Sequence, residues 1–89
     1  MYEVIIEPPA ESFIKKLSKD LQKKILDFIE DLSKNPHKGK KLVGKLHGLK
    51  SRRVDNIRII YKIEEVKLIV FVLRIGYRGN IYSKKIGFS

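Results

Sequence analysis

The sequence of 89 residues contains no cysteine, no tryptophan and only two histidines. Without cysteine the chain has no disulfide, no thiolate metal ligand and no cysteine nucleophile, a composition compatible with a reducing compartment. Long apolar runs are also missing, since no stretch approaches the ~20 residues that span a bilayer. We therefore expect residues 1–89 to form a single soluble, cytoplasmic domain, because this length supports one modest core.

Residues that would hold a metal or a nucleotide are equally scarce. His37 and His47 have neither an i, i+4 pairing nor acidic ligands around them, so the sequence predicts no metal site. Residues 39–45, GKKLVGK, have the glycine and lysine spacing of a phosphate-binding loop, but Leu46 stands where Ser or Thr would hold magnesium. We interpret residues 37–45 as a basic loop and expect no cofactor.

Acidic residues are few in the second part of the chain, although the formal net charge is +10 overall. Residues 1–31 have a net charge of −2, whereas residues 32–89 have fifteen Lys or Arg, three acids and a net charge of +12. This asymmetry favours a polyanionic partner, most simply nucleic acid, or an acidic protein. A lysine-rich solvated surface, as in thermophilic proteins, explains the lysines equally well. The arginines fit that alternative poorly because they cluster at Arg52, Arg53, Arg58, Arg74 and Arg78.

Apolar spacing indicates a strand and then helix in the first part of the chain. Residues 2–7 predict a short strand that Pro8 and Pro9 end. From Ser12 onward, apolar residues at spacings of three or four define one helical face, which ends at Asn35 and Pro36: Ile14, Leu17, Leu21, Ile25, Phe28 and Leu32. This periodicity allows one helix of about 22 residues. It equally allows two helices in a hairpin, because residues 18–20 offer capping side chains.

The remainder of the chain predicts strands. Residues 49–54 and 57–63 form a hairpin around a turn at Asp55 and Asn56, and residues 64–67 make a second turn. Residues 68–75 are apolar on both faces until Arg74, as in a central strand covered on both sides. Residues 76–80 break this strand, residues 81–83 form a short return strand, and residues 84–89 are too short for a stable helix.

A two-residue turn at Asp55 and Asn56 places Arg53 opposite Arg58 and Arg52 opposite Ile59. Like charges facing each other on a sheet repel, so this pair calls for an anion between the two side chains. Phosphate suits the planar fork of arginine, which stays charged at every relevant pH. The alternative is neutralisation by the three acids of this half, Asp55, Glu64 and Glu65.

Arg78 follows the central strand in a glycine-rich turn, and Tyr82 comes four residues later. A tyrosine beside several cations can have a lowered pKa and transfer a proton, or it can stack on a nucleobase. The simpler alternative is that Tyr82 packs on the sheet as an ordinary aromatic.

These segments in this order, LHGLKSRRVDNIRIIYKI followed by VFVLRIGYRGNIY, resemble the RelE/ParE superfamily of toxins from toxin–antitoxin modules, and most of all its RelE branch. The resemblance implies an α+β fold with an N-terminal strand, a two-helix hairpin and a three- to four-stranded antiparallel sheet. It also implies a metal-independent endoribonuclease that cuts mRNA in the ribosomal A site, where a 2′-hydroxyl attacks the adjacent phosphate.

Matched to the motif of that branch, the catalytic residues are Arg53, Arg58, Arg78 and Tyr82. The side chains predicted to bind RNA are Lys45, Lys50, Arg52, Lys62 and Arg74. The implied partners are an acidic, RelB-like antitoxin in a hetero-oligomer, together with the ribosome and mRNA. Ser51 departs from the pattern, because relatives often have a lysine or arginine there. A ParE-like toxin that binds DNA gyrase and a catalytically silent RNA-binding domain are the alternatives.

Overall fold

The apolar faces of two helices pack on one face of a five-stranded sheet in the computed structural model, which describes residues 1–77. The helices are α1 (Pro8–Lys15) and α2 (Lys19–Lys34). The strands are β1 (Glu3–Ile6), β2 (Lys40–Lys41), β3 (Lys50–Val54), β4 (Ile57–Glu64) and β5 (Ile69–Tyr77). The predictions for residues 78–80, for the return strand over 81–83 and for the tail over 84–89 lie outside the described residues.

The helical segment is two helices, and polar side chains hold the break between them. Ser18 caps α2 because its Oγ accepts a hydrogen bond of 3.3 Å from the Leu21 N–H. The Gln22 amide donates to the carbonyl oxygens of Ile14 at 3.0 Å and Leu17 at 3.2 Å, which satisfies groups at the end of α1. The start predicted at Ser12 is wrong, since α1 begins at Pro8, where proline's missing N–H costs no bond. Neither helix in residues 1–77 has the length and apolar character needed to cross a bilayer.

The sheet has the order β1-β5-β4-β3-β2, in which β1 runs parallel to β5 and all other neighbours are antiparallel. This arrangement confirms the α+β prediction but adds to the strand count. The N-terminal strand joins the sheet, and residues 40 and 41 form an edge strand inside the segment predicted to be a loop. That strand escaped prediction because two consecutive lysines show neither apolar alternation nor high β-propensity.

The core lies between the helices and one face of the sheet, where alternate strand residues meet the apolar helix stripe. Its buried members include Ile25, Phe28 and Leu32 of α2, and Ile59 and Val72 of the sheet. We call the opposite face, which lies away from both helices, the distal face.

Strand β5 lies between β1 and β4, as a central strand should, yet its two faces differ in burial. Val70 and Val72 are fully buried against the helices. Ile69 and Phe71, on the distal face, are only half-buried. Both helices pack on the same face, yet Ile60, which pairs with Arg74 on the distal face, is fully buried, so cover on both sides stays a prediction. Gly76 does not break the strand, since it pairs with Arg58 and β5 continues to Tyr77.

The hairpin of β3 and β4 has the predicted register. Val54 pairs with Ile57, Arg53 with Arg58 and Arg52 with Ile59, so Asp55 and Asn56 form a two-residue turn. Asp55 adopts a φ of 55°, in the left-handed region that aspartate tolerates better than most residues.

Tyr61 fixes the loop before β2 to the centre of the sheet. Its ring is fully buried, and its hydroxyl donates a hydrogen bond of 2.8 Å to the Pro36 carbonyl oxygen. The backbone of Gly39 also hydrogen-bonds to this hydroxyl, and a Cβ at Gly39 would overlap it. Burial raises the pKa of Tyr61, so the phenol stays protonated and donates.

We expect Tyr61→Phe to lower the free energy of unfolding by roughly 1–3 kcal/mol, because a buried carbonyl loses its donor. Tyr77→Phe is the matched control, since Tyr77 is 42% exposed and its hydroxyl makes no hydrogen bond within residues 1–77. Urea denaturation measures both changes. Equal stabilities of the two variants would contradict the role given to the Tyr61 hydroxyl.

Candidate nucleic-acid interface

Four of the predicted functional residues lie together on the distal face. Residues in register on neighbouring strands share a face, and side chains alternate along each strand. Arg58 lies between the core residues Ile57 and Ile59 on β4, so its side chain points to the opposite face. Arg53 pairs with Arg58 across the hairpin and shares that face. Arg74 joins them from β5 in register with Ile60, and Lys62 lies further along β4, opposite Phe71.

Within residues 1–77, two of the three acidic residues of this half have partners elsewhere. Asp55 forms an ion pair of 3.1 Å with Lys24 of α2. Glu65 is 3.2 Å from His37 and accepts a hydrogen bond of 3.0 Å from the Tyr2 hydroxyl, which raises the pKa of Tyr2. Glu64 stands at the other end of β4, in register with Ile69. Positive charge therefore accumulates at the β3 end of the distal face, where a phosphate would be favoured.

Ser51 contacts one member of the arginine pair, a contact that we did not predict from the sequence. It lies on β3 two residues before Arg53, on the same face, and is only 1% exposed. Its Oγ accepts a hydrogen bond of 3.4 Å from Arg58 Nη1. The hydroxyl thus orients the Arg58 guanidinium along the face. The signal in the sequence was the departure from the superfamily pattern at this position.

Arg52 lies on the helix-covered face, separate from Arg53 and Arg58. Its Nη1 donates to Asp31 Oδ2 at 2.9 Å, and its guanidinium carbon is 4.7 Å from the centroid of the Phe28 ring. The hydrogen bond from Arg52, followed by one from Asn35, lowers the pKa of Asp31. Arg52 therefore links β3 to α2, and the structure gives no support to its assignment as an RNA ligand.

Two further predicted RNA ligands also lie apart from the arginine pair. Lys50 pairs with Tyr61 on the helix-covered side of β3, and Lys45 is exposed in the 3₁₀ turn Gly44–Leu46. The assignments of Arg78 and Tyr82 lie outside the described residues. No cluster of three or more potential metal ligands occurs in residues 1–77. The described site is thus a basic surface built from Arg53, Arg58, Arg74, Lys62 and Ser51.

Comparison with known proteins identifies the family of this chain. The family model for the ParE toxin of type II toxin–antitoxin systems, parDE, matches residues 4–82. The chain is also 33% identical over 89 residues to a protein of Methanocaldococcus jannaschii whose name describes it as a proposed toxin, RelE4. That alignment covers 96% of this chain and 95% of the relative.

Solved toxin structures have the same fold. A chain of the RelBE2 toxin–antitoxin complex from Mycobacterium tuberculosis is 30% identical with a TM-score of 0.80, and the match covers 86% of this chain and 98% of that one. The RelE–RelB complex from Pyrococcus horikoshii matches at 25% identity with a TM-score of 0.75, over 89% and 97% of the two chains. The isolated Escherichia coli RelE toxin matches with a TM-score of 0.75 over 97% and 96%, at 20% identity, which supports the fold alone.

The family match covers most of the chain, and the relatives are aligned over nearly their whole length. The chain belongs to the ParE toxin family of type II toxin–antitoxin systems, within the RelE/ParE superfamily, which confirms the resemblance drawn from its motifs.

The two adjacent arginines of β3 should respond oppositely to the same substitution. Arg53→Thr removes a cation that faces Arg58, so we expect the free energy of unfolding to rise by about 0.5 kcal/mol. Arg52→Thr removes the contacts with Asp31 and Phe28, so stability should fall. Urea denaturation of both variants at low ionic strength measures the change in the free energy of unfolding. An equal loss of stability in both variants would contradict the placement of the two arginines on opposite faces.

The link between Arg52 and Asp31 also predicts a dependence on pH. Because the pKa of Asp31 is lowered in the folded state, its stabilising contribution is present above the ordinary value of 3.8 and disappears as pH falls through the folded-state pKa. Asp31→Asn should therefore be less stable than the parent at pH 7, and the difference should shrink in acid. A difference that stays constant between pH 7 and pH 2 would contradict this account.

Proposed function

We propose that this toxin is a ribosome-dependent mRNA endoribonuclease that acts in the cytoplasm and cuts mRNA in the A site. The observation that carries the proposal is the direct pairing of Arg53 with Arg58 on the distal face, with Arg74 in the next row and Lys62 further along β4. Like charges in direct opposition on a sheet repel each other, and a bound anion between them would reduce that repulsion. A single-stranded RNA phosphate has the charge and the oxygen geometry that two guanidinium groups bind.

The chemistry that this site favours is transfer of a phosphoryl group within the RNA chain. The 2′-oxygen forms a bond with the neighbouring phosphorus, and the bond from that phosphorus to the 5′-oxygen of the next nucleotide breaks. One proton leaves the 2′-hydroxyl and another joins the departing 5′-oxygen, so the products are a 2′,3′-cyclic phosphate and a 5′-hydroxyl. Negative charge builds up on the phosphate oxygens during this step, where the guanidinium groups can stabilise it.

Each arginine has a distinct part in the proposed step. Arg58, oriented by the Ser51 hydroxyl, donates to a phosphate oxygen, and Arg53 donates from the opposite strand. Removing one preorganised donor from a site of this kind typically lowers kcat by ~10²–10³. Arg78 as a further donor and Tyr82 as the proton-transferring group remain predictions. Arg74 and Lys62 bind flanking phosphates, which fixes the register of the RNA but reads no sequence.

An acidic antitoxin is the partner we propose for the same surface. The similar chains from M. tuberculosis and P. horikoshii come from complexes that pair a RelE toxin with a RelB antitoxin. A chain with net charge +10, concentrated after residue 31, suits an acidic, apolar-faced helix that competes with RNA. Binding there would form a hetero-oligomer and block the site.

Gyrase inhibition is the second candidate function, and the match to a family model named for ParE favours it. A gyrase inhibitor would act through protein contacts and would need no paired arginines at a phosphate. Inhibition of DNA supercoiling by the purified chain, with mRNA left intact on translating ribosomes, would support this candidate over the nuclease.

A toeprint assay on translating ribosomes tests the nuclease directly. We expect the wild-type protein to cut at the A-site codon and to leave naked mRNA intact. Arg58→Ala should lower the cleavage rate by about 10²-fold or more, whereas Arg58→Lys should retain part of the rate because it keeps the charge but not the fork.

Lys23→Ala is the control variant, since it removes one exposed positive charge from α2, on the other side of the sheet. Cleavage by this variant should equal that of the wild type. Intact mRNA with every protein, or equal cleavage by Arg58→Ala and Lys23→Ala, would overturn the proposal.

A further inference from the structure

The edge strand β2 brings a further lysine onto the distal face. Lys40 pairs with Ser51, which in turn pairs with Ile60, which pairs with Arg74. One row therefore runs from Lys40 to Arg74 across four strands, next to the row that contains Arg53 and Arg58. Because paired residues share a face, the Lys40 side chain leaves the sheet on the same side as these arginines.

Ser51 links Lys40 to Arg58, because it pairs with Lys40 on β2 and contacts Arg58 of β4. The side chain of Ser51 is smaller than those of the basic residues around it. Its Oγ accepts the hydrogen bond from Arg58 Nη1. The Arg58 guanidinium therefore reaches from β4 to Ser51 on β3, the residue that pairs with Lys40. Arg53 lies diagonally across from Lys40 on the neighbouring strand, at a spacing of about 7–8 Å that long side chains bridge.

Lys40 is also available to bind a ligand. Its side chain is exposed, and it makes no ion pair or hydrogen bond within residues 1–77. An ammonium group on a flexible stem acts as a mobile point charge, which complements the fixed forks of the arginines.

We propose that Lys40 is a third phosphate-binding residue of the site and binds the same RNA phosphate as Arg53 and Arg58. This inference rests on the proposed nuclease function. Lys40 supplies from a separate strand the charge that Ser51 cannot supply, and it completes a ring of three cations around one phosphate.

The adjacent lysine provides a matched control. Lys41 is exposed and has the same charge, but it pairs with Lys50, so its side chain leaves the sheet on the opposite side. Neither residue contributes to the core, and both Ala variants should fold as the wild type does.

The first experiment compares single-turnover cleavage of ribosome-bound mRNA by Lys40→Ala, Lys40→Arg and Lys41→Ala. We expect Lys40→Ala to lower kcat/KM by about tenfold or more, the effect of one charge-assisted hydrogen bond. Lys40→Arg should restore most of the activity, and Lys41→Ala should stay within about twofold of the wild type. Equal rates for the Lys40→Ala and Lys41→Ala variants would overturn the role of Lys40, while loss of cleavage in Arg58→Ala would still uphold the proposed function.

A second measurement tests whether Lys40 binds phosphate, and it does not depend on cleavage. It applies even if the wild type cuts no RNA, an outcome that would overturn the proposed function itself. Fluorescence anisotropy follows binding of a short RNA with 2′-deoxy nucleotides, which the protein cannot cleave, at several salt concentrations. Loss of one phosphate contact lowers the slope of log K against log salt by about 0.7 for a single strand. We expect this change for Lys40→Ala and not for Lys41→Ala, and equal slopes would overturn the assignment.

Discussion

The register of the β3–β4 hairpin is the constraint on which the rest of the structure depends. The two-residue turn at Asp55 and Asn56 places Arg53 opposite Arg58 and sends Arg52 to the other face. A shift of one residue would exchange the faces of every side chain on β3. It would break the Arg52 contact with α2 and place Arg53 against the core. The fold and the basic surface are therefore specified by the same turn.

The helix-covered face and the distal face use arginine in opposite ways. On the covered side, Arg52 is paired with a carboxylate and stacked on an aromatic ring, so its charge contributes to structure. On the distal side, Arg53 and Arg58 face each other across the hairpin, and like charges in direct opposition on a sheet are unfavourable in themselves. Functional sites commonly retain such locally unfavourable groups because binding uses them.

The sequence predicted the elements whose signals are local and missed those that depend on neighbours. Alternation and the Asp-Asn turn were enough for the Arg53 and Arg58 pairing, which the structure confirms. Helical periodicity continues across Ser18, so it cannot show that the segment is divided into two helices. The break is held by the Ser18 cap and the Gln22 hydrogen bonds. No pattern of two lysines predicts β2, because its pairing with β3 is set by the loop that Tyr61 holds. The contact of Arg52 with Asp31 joins residues 21 positions apart, which alternation along one strand cannot reveal.

The central claim is that RNA phosphate binds the distal face of the sheet and not the helix-covered face. Nuclear magnetic resonance of the arginine side chains, during titration with the uncleavable RNA, tests this most directly. The account predicts that the Nε–H signals of Arg53 and Arg58 shift and saturate together, while that of Arg52 stays in place beside Asp31. A shift of Arg52 with Arg53 and Arg58 unchanged would contradict it, because the RNA would then bind on the helix side.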